Sequence, residues 1–265
     1  MIIVKIGGGE QINLKEIVED LAEIKEKFII IHGANALRDR LAEQLKYVPE
    51  VITSLSGYTS IYSDEQLINL QMMAYAGLRN KRMVELCHQN RIKAVGLSGL
   101  DGPLVIGKRN RGIRIKENGK IKIIRDLSGK PHHLNVHLLN VLMKADYTPV
   151  ISIPIIDEFN QAINSENDDI VALIHNHYQA EKIFHFIEAP GLLSNPIDKE
   201  SLIPVLNKKQ LDDIEKKAKG RFKRKIRGIQ NVFSLGKTTV FMGDGRIPNP
   251  VKNLLRGKGT RIHDL

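Results

Sequence analysis

The sequence has one cysteine, Cys87, and no tryptophan among its 265 residues. A single cysteine cannot form a disulfide within the chain, and its apolar helical surroundings predict a buried thiol. This cysteine usage favours a cytoplasmic protein over a secreted one. No apolar run approaches the roughly 18 residues that span a bilayer. The first residues also lack the basic region and cleavage site of a secretory signal, so we expect neither export nor a membrane segment.

Aromatic residues are scarce, at 5%, whereas the formal net charge is +10. Such an excess attracts nucleic acid, nucleotide phosphates or an acidic protein. The basic residues concentrate in three segments, 108–125, 215–228 and 252–261. No aromatic residue interleaves with the first segment, which disfavours stacking on bases. A nucleic-acid binder remains an alternative, and salt-steep binding to DNA or RNA would identify it.

Short apolar segments alternate with segments of helical periodicity near the N-terminus. Residues 2–6 and 28–34 are apolar and rich in β-branched side chains, while 12–27 and 36–45 have helical spacing. Strands without polar alternation are typical of a parallel sheet that helices cover on both faces. We therefore predict an α/β fold, a three-layer α-β-α sandwich with a mainly parallel central sheet.

Two later segments differ from this alternation of short strands and helices. Alternating strands flank Asn118-Gly119, a pair that favours a type I′ turn, so a basic β-hairpin should project from the α/β body. A long helix is predicted over 64–89, and Gly77 could interrupt it. The other predicted elements are strands at 93–99, 147–154, 182–188 and 238–245, and helices at 167–180, 208–220 and 224–236.

Three predicted strands end in small residues, in the motifs KIGGG (5–9), HGAN (32–35) and GLSGLDG (96–102). Ligands bind at the carboxyl ends of parallel strands, where glycine lets backbone N–H groups approach an anion. Three such ends suggest a phosphate site, although tight turns alone could explain them. Lys5 stands where an ammonium can neutralise a transferring phosphoryl group. Because a bare buried lysine is costly, Lys5 should meet an anion or a carboxylate.

Other familiar motifs are incomplete. The segment GKTT (236–239) lacks the upstream glycine of a Walker A loop, since Asn231 stands there. Ile12 prevents the glycine triplet from completing a G-x-G-x-x-G motif. The histidine-rich segments 132–137 and 175–177 have no cysteine or paired carboxylates at metal-ligand spacing, so we predict no protein-held metal.

Two polar segments allow both a structural and a functional interpretation. The segment AINSENDDIVA (162–172) places Asn164 and Asp168 before a predicted helix. Asn167 or Asp168 could simply cap that helix, or a carboxylate here could hold catalytic lysines in position. The basic run GRFKRKIRG (220–228) is either a solvated helix face or a site for a phosphate-rich ligand.

Together the motifs resemble the amino-acid kinase family, and within it the N-acetylglutamate kinase group. The motifs follow family order along the chain: KIGGG, HGA, GLSGLDG, the N-x-x-x-D of Asn164 and Asp168, EAPGLL (188–193), GRFKRK (220–225) and GKGTRI (257–262). The [LysW]-aminoadipate kinase branch is the most similar, since it shares GLSGLDG, the ENGKIK hairpin, GRxKRK and DGR. The resemblance implies one kinase domain over 1–265, with an acyl-acceptor and phosphoryl lobe at 1–170 and a nucleotide-binding lobe at 171–265.

That branch phosphorylates the side-chain carboxylate of an α-aminoadipate, or in some members a glutamate, on the C-terminus of a small acidic carrier protein. The resemblance thus implies ATP-dependent phosphorylation in lysine or arginine biosynthesis, with Mg²⁺ held through the ATP phosphates. An acidic carrier accounts for the +10 charge better than a free substrate does. N-acetylglutamate kinase activity on free substrate and a non-catalytic ligand-binding regulator remain alternatives. The family is usually homodimeric, and the helix at 64–89 could support a dimer.

The resemblance also implies roles for individual residues. Lys5 and Lys225 would stabilise the transferring phosphoryl group, and Asp168 would hold both lysines in place. The other implied residues are Gly7, Gly8, Gly9 and Gly33 for phosphate, Ala34, Asn35, Ile61 and Asn164 for the substrate, and Glu188, Gly191, Leu192, Arg221 and Phe222 for the nucleotide.

Three departures from the family pattern concern the substrate. Ala34 and Asn35 replace the glycines that usually follow HG, and Glu166 stands where N-acetylglutamate kinases favour asparagine. Ile61 takes the place of an arginine, in an R-x-T-D pattern, that binds the substrate's α-carboxylate. An isoleucine cannot pair with a carboxylate, so either another basic residue makes this contact or the substrate differs.

Overall fold

A computed structural model describes residues 1–57, 59–117, 119–195, 197–198, 200–217 and 220–263, without the side chains of 217, 220–222, 224 and 225. The strands are β1 (Ile2–Ile6), β2 (Phe28–His32), β3 (Val51–Thr53), β4 (Thr59–Ile61), β5 (Ala94–Ser98), β6 (Val105–Arg109), β7 (Ile113–Glu117), β8 (Lys120–Ile124), β9 (Gly129–Leu134), β10 (Thr148–Ser152), β11 (Ile155–Ile156), β12 (Ala162–Ile163), β13 (Lys182–Ile187), β14 (Val205–Asn207), β15 (Thr239–Asp244) and β16 (Thr260–His263). The helices are α1 (Leu14–Ala22), α2 (Asn35–Gln44), α3 (Glu65–Gln71), α4 (Asn80–Gln89), α5 (Val136–Lys144), α6 (Asn167–Tyr178), α7 (Lys208–Lys217), α8 (Gly220–Leu235) and α9 (Pro250–Leu255).

The central sheet has the strand order β14-β16-β15-β13-β1-β2-β10-β5. Its neighbouring strands run parallel, apart from the antiparallel pair β15 and β16. The mainly parallel sheet predicted from the apolar strands is therefore confirmed. No helix among the described residues is both long and apolar enough to cross a membrane.

Two apolar cores lie on the two faces of this sheet. Ile2, Val4 and Ile6 pack with residues of α1, α4 and α9 in one core. Ile3 packs with residues of α5, α6 and α8 in the other. Because side chains alternate along a strand, Lys5 lies on the same face as Ile3, beneath α6 and α8. The predicted three-layer arrangement is confirmed, and it directs the charged side chain of β1 towards α6.

The helix predicted over 64–89 is continuous. Asp64 caps α3 by accepting a hydrogen bond from the backbone N–H of Leu67 at 2.7 Å. Gly77 does not interrupt the helix; it lies in a π-helical segment, Met72–Arg79, that joins α3 to α4. Such segments widen each turn by about one residue and are frequent at functional sites. Cys87 on α4 is buried, as predicted, and burial raises the pKa of its thiol to about 12.

The predicted basic hairpin is also confirmed. β7 and β8 form an antiparallel two-stranded sheet, and Ile115 of β7 also makes an isolated antiparallel bridge with Ser54. Gly119 has a φ of 79°, the left-handed conformation that a type I′ turn requires, and Asn118 lies outside the described residues. The exposed side chains of the hairpin include Ile121 and Ile123, at 67% and 61% exposure.

Candidate active site

Glycine-rich connections from two adjacent parallel strands meet at one edge of the sheet. The triplet Gly7 to Gly9 follows β1, and Gly33 follows β2. A Cβ atom on Gly33 would lie 2.9 Å from the backbone nitrogen of Gly8. One on Gly8 would approach the backbone nitrogens of Ala34 and Asn35 to 2.5 and 2.6 Å. The glycines thus permit a close approach of backbone N–H groups, which suits an anion.

The amide hydrogens of these glycines do not all face a ligand. Gly7 N–H donates to the carbonyl of Phe186, and Gly33 N–H donates to that of Ile6, both at 2.9 Å. The amides of Gly8 and Gly9 have no such acceptor among the described residues. We therefore restrict the donors of the predicted phosphate cradle to Gly8 and Gly9, and Gly7 and Gly33 shape it.

Glu188 lies directly against this cradle. It follows β13, and its carboxylate accepts a hydrogen bond from the backbone N–H of Gln11 at 2.6 Å. The carboxyl group occupies the place that a side chain on Gly9 would need. An anionic group of the chain itself is thus held beside the glycine triplet.

The third glycine-rich strand end has a structural role. A Cβ atom on Gly96 would collide with Asn80, so this glycine lets α4 approach β5. Gly99 packs on Ile155, and its N–H already donates to the carbonyls of Ser152 and Pro154. Gly96 and Gly99 of this motif therefore serve packing and do not add free backbone donors to the predicted phosphate site.

Lys5 meets the carboxylate that the sequence analysis required. Its Nζ lies 3.0 Å from Oδ1 of Asp168, and the two side chains are 10% and 18% exposed. Nε2 of His185 lies 3.3 Å from the same oxygen. Burial alone would raise the pKa of Asp168, but the charge of Lys5 and the contact with His185 outweigh it. The pKa of this carboxyl is held well below its usual range, so Asp168 is an anion at neutral pH.

His185 was missed by the sequence analysis. It lies on β13 directly opposite Lys5 in the parallel register of β1 and β13, and it is 5% exposed. The signal in the sequence is a lone histidine in the apolar strand KIFHFI. Since a buried core histidine has the same signature, only the strand register identifies its place beside Lys5 and Asp168.

The start of α6 corrects one structural interpretation. The helix begins at Asn167, and its N-cap residue is Glu166, which makes no side-chain capping hydrogen bond. Asp168 therefore lies inside the first turn and does not cap the helix. Its carboxylate is directed to Lys5, as the functional interpretation of this segment predicts.

A cavity of about 500 Å³ opens beside Asp168. Ile61 and Asn164, both predicted substrate residues, line it. Asn164 is held by its Nδ2 atom, which donates to Oγ of Ser63 at 3.0 Å. Ala34 and Asn35 are not in its described lining; they flank Gly8 instead. The cationic residues of the lining are Arg114, Lys130 and Arg227.

The predicted nucleotide residues are only partly described. The side chains of Arg221, Phe222 and Lys225 lie outside the described ones. Their helix, α8, passes close to Asp168, because a Cβ atom on Gly228 would lie 2.9 Å from the Cβ of Asp168. The basic run of α8 is thereby brought to the same end of the sheet as Lys5.

Gly191 and Leu192 are buried beside Thr260 of β16. The N–H of Leu192 donates to Oγ1 of Thr260 at 2.8 Å, and its carbonyl accepts from Ile203 N–H at 2.9 Å. The side chain of Leu192 is 2% exposed. Both backbone polar groups of Leu192 therefore have a hydrogen-bond partner within the fold.

The protein is similar in sequence, along nearly its whole length, to proteins of a known family. The family model described as "Amino acid kinase family" matches residues 1–244. A protein of Thermus thermophilus named [LysW]-aminoadipate kinase is 38% identical over 99% of this chain and 100% of its own length. A [LysW]-aminoadipate kinase of Deinococcus radiodurans is 36% identical over 99% of this chain and 91% of its own length.

A solved structure with the same fold is more distant in sequence. The structure is that of N-acetylglutamate synthase from Neisseria gonorrhoeae, complexed with coenzyme A and N-acetyl-glutamate. It superposes with a TM-score of 0.77 at 19% identity and covers 100% of this chain, which spans 59% of that longer protein. At this identity the likeness establishes the fold alone.

Proposed function

Since the chain belongs to the amino acid kinase family, as its motifs predicted, we propose that it is an ATP-dependent carboxylate kinase. Its acceptor is the side-chain carboxylate of an N-blocked α-aminoadipate or glutamate, carried on a small acidic amino-group carrier protein. The observation that carries this proposal is the buried pair of Lys5 and Asp168 beside the glycine cradle and the 500 Å³ cavity. The names of the relatives support the choice of acceptor.

The reaction forms one bond and breaks one. A carboxylate oxygen of the acceptor attacks the γ-phosphorus in line, and the bond from that phosphorus to the β–γ bridging oxygen breaks, leaving an acyl phosphate and ADP. Lys5 and Lys225 neutralise charge on the phosphoryl oxygens, and the amides of Gly8 and Gly9 donate to them. No general base is needed, because the acceptor carboxylate is already ionised at neutral pH. Mg²⁺, bound through the ATP phosphates, would supply further charge neutralisation.

Asp168 positions the catalytic cation. It accepts from Lys5 and lies next to His185, so the ammonium is fixed while two of its three hydrogens remain for phosphoryl oxygens. Asn164 and Ile61 line the acceptor side in the N-terminal part of the chain. We assign the nucleotide side to the C-terminal part, which includes Glu188 and the basic run of α8.

The carrier binds along the basic hairpin in this proposal. A second groove, which includes Arg111, Arg125 and the exposed Phe159, shares Asn110 and other residues with the acceptor cavity. The base of the hairpin therefore lies between the groove and the cavity. An acidic carrier could lie against the groove and the hairpin while its substituted C-terminus enters the cavity.

Trapping of the acyl phosphate with hydroxylamine, in the presence of ATP and Mg²⁺, tests the proposal. We expect turnover to be fastest with carrier-linked aminoadipate or glutamate and slower with N-acetyl-aminoadipate or N-acetylglutamate. Faster turnover on free N-acetylglutamate would identify an N-acetylglutamate kinase instead. ATP binding without turnover of any acceptor would identify a non-catalytic regulator and exclude the kinase.

The proposal includes the oligomeric state and the cellular compartment of the enzyme. We expect a homodimer in the cytoplasm, with the helical stretch from α3 to α4 at the dimer contact, where Met73 and Leu78 are 44% and 46% exposed. Light scattering on the purified protein would test the dimer. A monomer at all concentrations would contradict it without affecting the proposed chemistry.

A further inference from the structure

The start of α4 is fixed behind the two glycine loops. Asn80, its first residue, is fully buried, and its Nδ2 atom donates to Nε2 of His32 at 3.1 Å and to the carbonyl of Val150 at 3.0 Å. Burial, followed by the charge of Arg79, lowers the pKa of His32 to about 3, so the ring is neutral and its Nε2 can accept. Gly96 leaves room for the Asn80 side chain. The helix start is thus tied to β2, β10 and β5.

Arg79 immediately precedes Asn80 and ends the π-helical segment. Its Nη2 atom donates to the carbonyl of Gly7 in a long hydrogen bond of 3.5 Å. Its Nε atom is buried and has no acceptor among the described residues. Burial lowers the pKa of Arg79, and the nearby charge of Glu188 opposes this, yet a guanidinium stays protonated in proteins. A cation is therefore held behind the glycine triplet.

A structural role alone accounts poorly for this cation. No carboxylate in the described part of the chain lies within ion-pair distance of Arg79. The buried Nε–H has no acceptor among the described residues, and the favourable charge of Glu188 lies beyond ion-pair distance, so this placement of the guanidinium is costly. Packing could be achieved at lower cost by an apolar side chain of similar length, such as methionine. An anion bound on the other side of the glycine triplet would offset the free-energy cost of burying the guanidinium.

The geometry of one peptide bond connects Arg79 to the cradle. In a trans peptide the C=O and the following N–H point in opposite directions. The carbonyl of Gly7 is directed at Arg79, so the N–H of Gly8 points away from Arg79. That N–H lies beside Gly33, where it has no backbone acceptor among the described residues. Arg79 therefore contacts the peptide that carries one of the two proposed phosphate donors.

We propose that Arg79 is a positioning residue for phosphoryl transfer, whose guanidinium holds the Gly7 carbonyl so that the Gly8 N–H faces the phosphate. The inference rests on the proposed function for the identity of the anion as a phosphate of ATP. The hydrogen bond that the Arg79 side chain makes among the described residues is to the Gly7 carbonyl, so in this proposal Arg79 acts by orienting that peptide. The π-helical segment is the local feature that brings its side chain to this place.

The experiment compares Arg79→Met, Arg79→Lys and a matched control, Arg82→Met, in the full-length protein. Arg82 lies three residues further along the same helical stretch, is 65% exposed and pairs with Glu85 at 2.7 Å. Loss of one oxyanion donor costs roughly 10² to 10³ in kcat, and misdirecting a donor should cost less. We expect Arg79→Met to lower kcat about 30-fold with the acceptor KM unchanged. Arg79→Lys should recover most of that loss, and Arg82→Met should stay within about twofold.

A second readout keeps the inference separate from the proposed function. Calorimetric titration with a non-hydrolysable ATP analogue needs no acceptor and keeps the γ-phosphate, and we expect Arg79→Met to weaken its binding about tenfold relative to the Arg82→Met control. If the wild type binds the analogue but phosphorylates no acceptor, the proposed function fails and the titration still tests Arg79. If Arg79→Met does not fold, Arg79→Gln takes its place, with a tenfold loss of kcat expected, on the order of one misdirected donor.

Three results would overturn the inference. The first is a kcat within about twofold of wild type in the neutral variant. The second is an equal loss in the Lys and Met variants, which would indicate a packing role. The third is unchanged affinity for the non-hydrolysable ATP analogue in a folded neutral variant.

Discussion

Nζ of Lys5 and Oδ1 of Asp168 lie 3.0 Å apart, where the central strand β1, which leads into the phosphate cradle, meets the first turn of α6. Lys5 belongs to β1 in the central sheet, whereas Asp168 belongs to α6 in one of the helical layers. Their contact therefore depends on the docking of α6 against β1. Since α8 also approaches Asp168 through Gly228, one carboxylate connects three elements of the proposed active site.

Replacing Lys5 should abolish most of the chemistry. We expect Lys5→Met to lower kcat about 10³-fold, because it removes charge stabilisation that is strongest in the transition state. Hydroxylamine trapping measures the rate, and Lys25→Met, at an exposed position after α1, serves as the control. A kcat within about tenfold of wild type in a folded Lys5→Met protein would contradict the proposed role.

The stability contributed by Asp168 should depend on pH. The pKa of Asp168 is lowered in the folded protein, so its ionised form stabilises the fold above the unfolded pKa of about 3.9. This contribution is lost progressively as the pH falls below that value towards the folded pKa. In urea unfolding, the free-energy difference between wild type and Asp168→Asn should therefore be larger at pH 7 than at pH 3.

Asp146→Asn provides the control for this measurement. Asp146 is 78% exposed and pairs with Lys93 at the surface, where ion pairs contribute little. Its free-energy difference should stay small at both pH values. A difference for Asp168→Asn that did not shrink on acidification would show that the carboxylate is not stabilised by Lys5 and His185.

The basic hairpin should matter for a carrier-linked acceptor and not for a free one. Lys116 and Lys120 are exposed, and no carboxylate in the described residues pairs with them. We expect Lys116→Glu with Lys120→Glu to lower kcat/KM for the carrier-linked acceptor about tenfold or more, and to weaken its dependence on salt. Turnover of N-acetyl-aminoadipate should be unchanged.

A charge-matched double variant tests whether the position of the charge matters. Lys25→Glu with Lys209→Glu gives the same net charge at exposed residues outside the hairpin. If both double variants reduce kcat/KM equally, general attraction and not the hairpin would explain the effect. If the hairpin variant behaved as wild type, the carrier would bind elsewhere.

Local sequence patterns predicted the fold because most helices and strands consist of residues whose intrinsic propensities favour that structure. The apolar β1, the β7–β8 turn and the helix that Asp64 caps follow from residues close together in the sequence. Lys5 and Asp168 could be paired from motif order. His185 and Arg79 could not, since their positions depend on strand register and on a π-helical segment. Strand register and a π-helical segment leave no clear pattern in neighbouring residues. The small residues of GLSGLDG predicted a phosphate loop, but its glycines serve packing.

We expect Arg114 to anchor the substrate's α-carboxylate in the acceptor cavity. Ile61 lies on β4 and cannot bind a carboxylate, whereas Arg114 of β7 lines the same cavity. We expect Arg114→Met to raise the acceptor KM roughly 10- to 100-fold with kcat little changed, which corresponds to one lost charge-assisted hydrogen bond of about 1.5–3 kcal/mol. Lys130→Met, at the same cavity, is the comparison.

Adding Ile61→Arg to the Arg114→Met protein provides the decisive test. An arginine at position 61 would restore a cation to the cavity wall, so the KM should fall back towards the wild-type value. In the wild-type background the same substitution should have a smaller effect, because the carboxylate already has a partner; this non-additivity measures the shared contact. If Lys130→Met alone raised the KM, the anchor would be Lys130. If neither variant changed it, the α-carboxylate would not bind this wall of the cavity.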